Sequence, residues 1–104
     1  MISVILSTYN DEKTIFDCIN SILNQTYKNF ELIIINDCSK DSTKKIIQSF
    51  SDKRIVYLEN DKNIGRSISR NKGIEKIKPE TIVAEASAED FIWLNLNKIL
   101  LENA

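Results

Sequence analysis

The chain has 104 residues, a hydrophobic fraction of 42% and a formal net charge of −1. That length holds one small domain, and the near-neutral balance excludes a nucleic-acid binder held by a basic patch. There is no histidine, which removes Ser-His-Asp and Cys-His catalysis and histidine metal sites. No apolar run is long enough to span a bilayer, and no secretory signal is visible at the N-terminus. Cys18 and Cys38 have no metal or redox spacing, so the expected location is the cytoplasm, with both thiols reduced.

Ile2 to Ser7 is an apolar run that stops at the polar group Ser7, Thr8, Tyr9 and Asn10, and it predicts a buried strand. Asn10 or Asp11 would cap the helix that follows. Ile15, Phe16, Ile19, Ile22 and Leu23 recur at helical spacing and define one face. Residues 24 to 29 form a polar connection. Phe30 to Ile35 is apolar apart from Glu31, as in a strand covered on both faces, and it too stops at polar groups, Asn36 and Asp37. Ser39 or Asp41 would cap a second helix carrying Ile46, Ile47 and Phe50. Arg54 to Glu59 predicts a third strand, and Asn60 to Gly65 a loop whose residues tolerate positive φ. Ser67 to Ile77 predicts a third helix weakened by Gly73. Pro79 ends that region, and Thr81 to Ala84 predicts a short fourth strand. Residues 90 to 104 form a last, apolar helix, capped by Asp90, with Phe91, Leu94 and Ile99 on a wide apolar surface.

Strand alternates with helix along the whole chain. This predicts a three-layer α/β fold with a mostly parallel sheet. The expected strand order is 3-2-1-4, with a crevice between strands 1 and 4. Ligands of such sheets bind at the carboxyl ends of the strands, where both polar clusters fall.

The first strand-to-helix turn, Ser7 to Glu12, contains no glycine, and the chain has only Gly65 and Gly73. That excludes a dinucleotide-binding G-x-G-x-x-G turn and a phosphate-binding P-loop. Tyr9 offers a face on which a nucleotide base can stack, a contact worth about 1–3 kcal/mol, and Ser7 and Thr8 offer hydroxyls to its edge. The alternative is that Tyr9 packs over the sheet end and Asn10 only caps the helix. Asp37 can only accept hydrogen bonds, so it would select an N–H donor such as N3 of uracil and disfavour cytosine. Its alternative is a local turn into the helix near Ser42. Gly65 permits close backbone approach to a ligand. Arg70 is placed to neutralise a phosphate, although a solvated helix arginine is the commoner case.

Together these segments carry a resemblance. Ser3-Val-Ile-Leu-Ser-Thr-Tyr-Asn10, Ser21-Ile-Leu-Asn-Gln-Thr-Tyr27, Phe30-Glu-Leu-Ile-Ile-Ile-Asn-Asp-Cys-Ser-Lys-Asp-Ser-Thr43, Asn63-Ile-Gly65 and Arg70-Asn-Lys-Gly-Ile74 follow one another in unbroken order. They resemble the nucleotide-binding half of family 2 glycosyltransferases of the GT-A fold. The resemblance implies a Rossmann-like domain of the nucleotide-diphospho-sugar transferase type, with a nucleotide sugar, UDP-linked above all, as partner. It assigns Ser7, Thr8 and Tyr9 to the base and Asp37 to its imide N–H, with Gly65 and Arg70 completing the nucleotide site. It also implies Mn²⁺ or Mg²⁺ held by a D-x-D motif, hard cations that prefer carboxylate oxygens. Aligned without gaps from Pro79, those acids fall on Ala86 and Ala88. The nearby carboxylates are Glu85, Glu89 and Asp90, of which Glu89 and Asp90 are the metal candidates, and no catalytic residue is assigned.

The chain therefore reads as a truncated donor domain of an enzyme that moves a hexose to an acceptor, inactive alone. In a complete relative a carboxylate base would act with inversion, at the inner face of the membrane. The rival is a non-catalytic nucleotide-sugar-binding or interaction module. The surplus of apolar residues from Phe91 to Leu101 further predicts a homodimer through the last helix or an edge strand.

Overall fold

Two continuous apolar runs set the centre of the molecule. Ile2–Thr8 (β1) and Phe30–Asn36 (β2) are buried along nearly their whole length, which is why neither alternates with polar residues. They pair in parallel, Ile2 opposite Phe30 and Thr8 opposite Asn36. The computed structural model describes residues 1–88 and 94–103. Ile55–Glu59 (β3) adds to β2 and Ile82–Ala86 (β4) to β1. All pairs are parallel, in the order β3-β2-β1-β4 that the sequence predicts.

Strand geometry sends alternate side chains to opposite faces, and the two faces have different covers. Val4, Leu6, Leu32 and Ile34 meet Ile15, Ile19 and Ile22 of Ile15–Leu23 (α1), Ile47 of Thr43–Gln48 (α2) and Leu96 of Leu96–Glu102 (α4). Ile5, Ile33 and Ile35 point the other way, towards Arg66–Ile74 (α3). Glu31, the one charge within the second run, is buried with the Ser3 hydroxyl donating to it at 3.2 Å and Lys78 at 3.8 Å.

The α3 layer is thin because small residues face the sheet. Ser69 and Gly73 are its buried positions. A Cβ at Gly73 would lie 2.7 Å from Ile35 Cδ1 and 3.2 Å from Ile5 Cγ2. Glycine costs helix propensity of about 1 kcal/mol, and here its missing side chain sets how closely α3 approaches β1 and β2.

Several helix ends differ from the sequence expectation. Neither Asn10 nor Asp11 caps α1 with its side chain. The Asp11 carbonyl takes the N–H groups of Thr14 and Ile15, while its carboxylate turns back to Thr8 and Tyr9, so the helix begins at Ile15. Phe16 is 51% exposed and stacks near Phe50, with Cys18 taking its expected place on the buried face. Ser39 is drawn to Asn36 and does not cap α2; Asp41 accepts the N–H and hydroxyl of Thr43 instead. α3 stops at Ile74, and Ile77 continues its layer as a packed loop residue.

The last helix is shorter than expected. It starts at Leu96, where the Asn95 side chain accepts the Lys98 N–H. The expected cap Asp90, and Phe91, Ile92 and Trp93, lie outside the described residues. Gln25 pins the segment before the helix by donating to the Leu94 carbonyl at 3.1 Å and accepting the Leu96 N–H at 2.8 Å. Leu96 is buried, and Leu94, Ile99 and Leu100 rest on the same core. Of the described apolar residues in this helix only Leu101 stays largely exposed, at 76%. The part of the apolar surplus carried by Leu94, Leu96, Ile99 and Leu100 is thus spent inside the chain and offers no surface for the expected homodimer. Among the described residues no helix is long and apolar enough to cross a membrane.

Gly73→Leu should overpack the contact with Ile5 and Ile35 and destabilise the domain by about 1–3 kcal/mol, with Gly73→Ala costing less. Urea unfolding measures it; a midpoint for Gly73→Leu equal to that of the native protein would mean that α3 does not approach the sheet so closely.

Candidate nucleotide-binding site

The site lies where β1 and β2 end. The Asp37 N–H donates to the Thr8 carbonyl at 2.9 Å, so the two strand ends stay in register one residue past the ladder. The loops that leave them are then joined to each other. Asn10 N–H donates to Ser39 Oγ at 3.0 Å, and Lys40 N–H to Asn10 Oδ1 at 2.8 Å. Asp11 N–H donates to Thr43 Oγ1 at 2.9 Å, Glu12 N–H to Asp41 Oδ2 at 3.2 Å, and Ser42 N–H to Glu12 Oε2 at 3.1 Å. Polar side chains here satisfy backbone groups that no ladder or helix reaches. Asn10 sits at φ +51° and Cys38 at φ +61°, the left-handed turns that let both loops fold over the rim.

Asp37 joins the rim to the next layer. Its Oδ1 accepts Ile64 N–H at 2.8 Å and Asn60 Nδ2 at 2.9 Å, and its Oδ2 accepts Gly65 N–H at 2.9 Å. Gly65 sits at φ +94°, immediately before α3; that backbone turn, open to glycine, aims its N–H at the carboxylate. The expected local turn from Asp37 towards Ser42 is absent from these bonds. Burial alone would push the Asp37 carboxyl up; the Ile64, Asn60 and Gly65 donors outweigh it and hold it below the ordinary value. It is an ionised acceptor at neutral pH.

Ser7, Thr8, Tyr9, Asp11, Asp37 and Arg66 line one hollow at the sheet rim. A second, lined by Ile5, Ser7, Arg66, Ser67, Arg70 and Glu85, adjoins it at the carboxyl ends of β1 and β4. The four expected base-contacting residues Ser7, Thr8, Tyr9 and Asp37 therefore come together. Tyr9 is 44% exposed, so its ring is not packed away over the sheet end. Gly65 reaches the site only through Asp37. Arg70 stands in the second hollow, where its Nη1 meets Glu85 Oε1 at 3.1 Å on the surface. Sequence reading missed Asp11, Arg66 and the buried Asn60. Arg66 directly follows Gly65, at the first turn of a helix, and that position was its only signal.

A divalent cation is not matched by the described residues where the family motif would place it. Ala86 ends β4 and the methyl of Ala88 is buried in the main core. Glu85 is paired with Arg70, and among the described residues no three His, Cys, Asp or Glu side chains gather as metal ligands. Glu89 and Asp90 lie outside the described residues.

A four-stranded parallel sheet in the order 3-2-1-4, covered by helices on both faces, defines a Rossmann-like α/β domain. The family model of glycosyl transferase family 2 matches residues 3–85, and the chain belongs to that family. It is 36% identical over 102 residues to the UDP-Glc:alpha-D-GlcNAc-diphosphoundecaprenol beta-1,3-glucosyltransferase WfgD of Escherichia coli, an alignment covering 98% of this chain and 39% of that protein. Its structure resembles S. aureus TarS 1-349 in complex with UDP-GlcNAc, with a TM-score of 0.84 and 27% identity, over 98% of this chain and 30% of the other. The mannosyltransferase PcManGT of Pyrobaculum calidifontis, in complex with GDP-Man and Mn²⁺, shares the fold at a TM-score of 0.76 and 22% identity, over 85% of this chain and 27% of that one. The chain spans well under half the length of these proteins.

Asp37→Ala leaves the half-buried Ile64 and Gly65 N–H groups without an acceptor and removes one of the two acceptors of Asn60 Nδ2, and should cost about 3 kcal/mol of stability at pH 7. The lowered folded-state pKa means that the contribution of Asp37 is present above the ordinary carboxylate range and fades as pH falls through the folded value. The stability gap between the native protein and Asp37→Asn should therefore narrow from pH 7 towards pH 2. Denaturant unfolding across that range checks it, and a constant gap would show that the charge on Asp37 is not what holds the loop.

Proposed function

We propose that this chain is the donor-binding domain of a glycosyltransferase, and that its rim holds the uridine of a nucleotide-diphosphate sugar. The observation that carries this reading is Asp37 beside the exposed ring of Tyr9 in one hollow. Oδ1 accepts from Ile64 and Asn60 and Oδ2 from Gly65, with the Ser69 hydroxyl also acting on the carboxylate, so Oδ2 is the oxygen with fewer backbone and amide donors. That oxygen suits the imide N–H of uracil. Tyr9 supplies the stacking face, and Ser7 and Thr8 lie along the base edge. The diphosphate would then run towards Arg66, Ser67 and Arg70 in the adjoining hollow.

Transfer requires a base for the acceptor hydroxyl and a charge to hold the departing diphosphate. The carboxylates lining the two hollows are already engaged: Asp11 by Thr8, Asp37 by the 60–65 loop, and Glu85 by Arg70. We therefore assign donor binding to these residues and no transfer step, so the chain alone should be inactive. A divalent metal, common in this class of enzyme, gains no ligands from Ala86 and Ala88. The two free cysteines fit a reducing compartment, the cytoplasm.

Titration calorimetry with UDP, GDP and CDP, with and without Mn²⁺, tests the reading. UDP should bind in preference to CDP, Tyr9→Ala should weaken it by about tenfold through lost stacking, and Mn²⁺ should tighten it by less than tenfold. Equal binding of UDP and CDP, or no loss on Tyr9→Ala, would overturn the uridine assignment.

A further inference from the structure

The Asp37 carboxylate is held from behind by a side-chain relay that the nucleotide site does not itself use. Asn60 is buried, one residue past the end of β3, and its backbone N–H continues the ladder by donating to the Asn36 carbonyl at 2.9 Å. Its side-chain amide has three partners. Nδ2 donates to Asp37 Oδ1 and to Ser69 Oγ, both at 2.9 Å, and Oδ1 accepts Lys72 Nζ at 3.1 Å. An ammonium can only donate, so Lys72 fixes the amide oxygen on its own side and turns both Nδ2 hydrogens inward. Ser69 and Lys72 stand on α3, one turn apart. The same helix that carries Arg66 into the hollow thus sets the orientation of Asn60.

We propose that Asn60, oriented by Lys72 and Ser69, is the positioning residue that makes Asp37 select a base bearing an N–H, uracil, over cytosine. The inference rests on the uridine reading above. By donating to Oδ1, Asn60 fills that oxygen together with Ile64 and leaves Oδ2 as the oxygen that turns to a base. It fixes the carboxylate rotamer in the same step. It also keeps the group ionised, and an ionised carboxylate has no proton to offer the N3 acceptor of cytosine. The charged groups around Asp37 are Asp11 from the turn after β1, and Arg66 and Lys72 from α3. Only Lys72 reaches it through a buried amide.

Asn60→Asp tests the proposal with little change of shape. It puts a second carboxylate about 3 Å from the first, and such a pair shares a proton. Lys72→Met removes the orienting ammonium at an exposed position and keeps the test open if Asn60→Asp fails to fold. The measurements are calorimetric affinities for UDP and CDP from pH 5 to pH 8, and the pH profile of the Gly65 amide resonance, whose N–H reports the Asp37 charge. In the native protein both the UDP:CDP ratio and the Gly65 resonance should be flat over that range. In Asn60→Asp the ratio should fall by about tenfold at pH 5, a loss expected of one misdirected hydrogen bond. It should recover as pH rises, with the Gly65 resonance titrating in parallel; Lys72→Met should shift both in the same direction by less. Native selectivity and a flat Gly65 profile in the folded variants would overturn the role of Asn60 while leaving the uridine reading intact. Failure of the native protein to prefer UDP would overturn that reading, and this inference with it.

Discussion

The contact between one carboxylate and the start of one helix organises the rim of this domain. Asp37 directly follows β2, whereas Ile64 and Gly65 belong to the loop that delivers α3. Their N–H groups have no helical partner, because Gly65 is the residue at the helix start and Ile64 precedes it, with no earlier turn to supply carbonyls. A neutral side chain could accept them, but a carboxylate also complements the positive end of the helix. The bonds at 2.8 and 2.9 Å therefore decide where α3 begins, and with it where Arg66 and Ser67 stand. Loss of Asp37 would disturb both the base end and the phosphate end of the groove.

The second constraint is the thinness of the layer beneath α3. Gly73 and Ser69 let the helix sit low on Ile5 and Ile35, and that height is what allows Ser69 and Lys72 to reach Asn60. A bulkier residue at position 73 would lift the helix and lengthen the bonds behind Asp37 before it touched the hollow itself. Packing and polar positioning are coupled here through one rigid element. On the other face, α1, α2 and α4 share a deep apolar core, and the loops above it are tied by reciprocal backbone-to-side-chain bonds.

Much of this was legible in the sequence, for physical reasons that also mark its limits. Continuous apolar runs at Ile2 and Phe30 announce strands buried on both faces, and strict alternation with helices leaves few parallel topologies. The residues that end those strands, Ser7, Thr8, Tyr9 and Asp37, had to lie at one rim once the strands were parallel. Helix starts were not legible. Asn10, Asp11 and Ser39 are good cap formers, yet Asn10 is recruited by the opposite loop, and Asp11 and Ser39 turn back to the strand ends just before them, local bonds that compete with capping. Phe16 fits the helical period but loses the buried position to Cys18. Asn60 read only as a turn residue, because its partners Asp37, Ser69 and Lys72 come from two other segments, the end of β2 and α3.

The two ends of the groove differ in how firmly they are built, and on the proposed reading that difference suits their ligands. The base end is anchored by Asp37, whose carboxylate is held by three hydrogen bonds, and by the buried Thr8, whose hydroxyl is tied to Asp11. A planar base with one N–H to offer is well matched by such a rigid acceptor, since misfit by a fraction of an ångström leaves polar groups unpaired. The phosphate end consists of exposed arginines, and the Arg70–Glu85 pair is a surface ion pair of the kind worth about 0–1 kcal/mol. Such a pair yields easily. A diphosphate entering beside Ser67 would compete with Glu85 for Arg70 at little cost and gain a charge-assisted contact. Discrimination would then reside at Asp37, while Arg66 and Arg70 adapt to whatever the diphosphate carries.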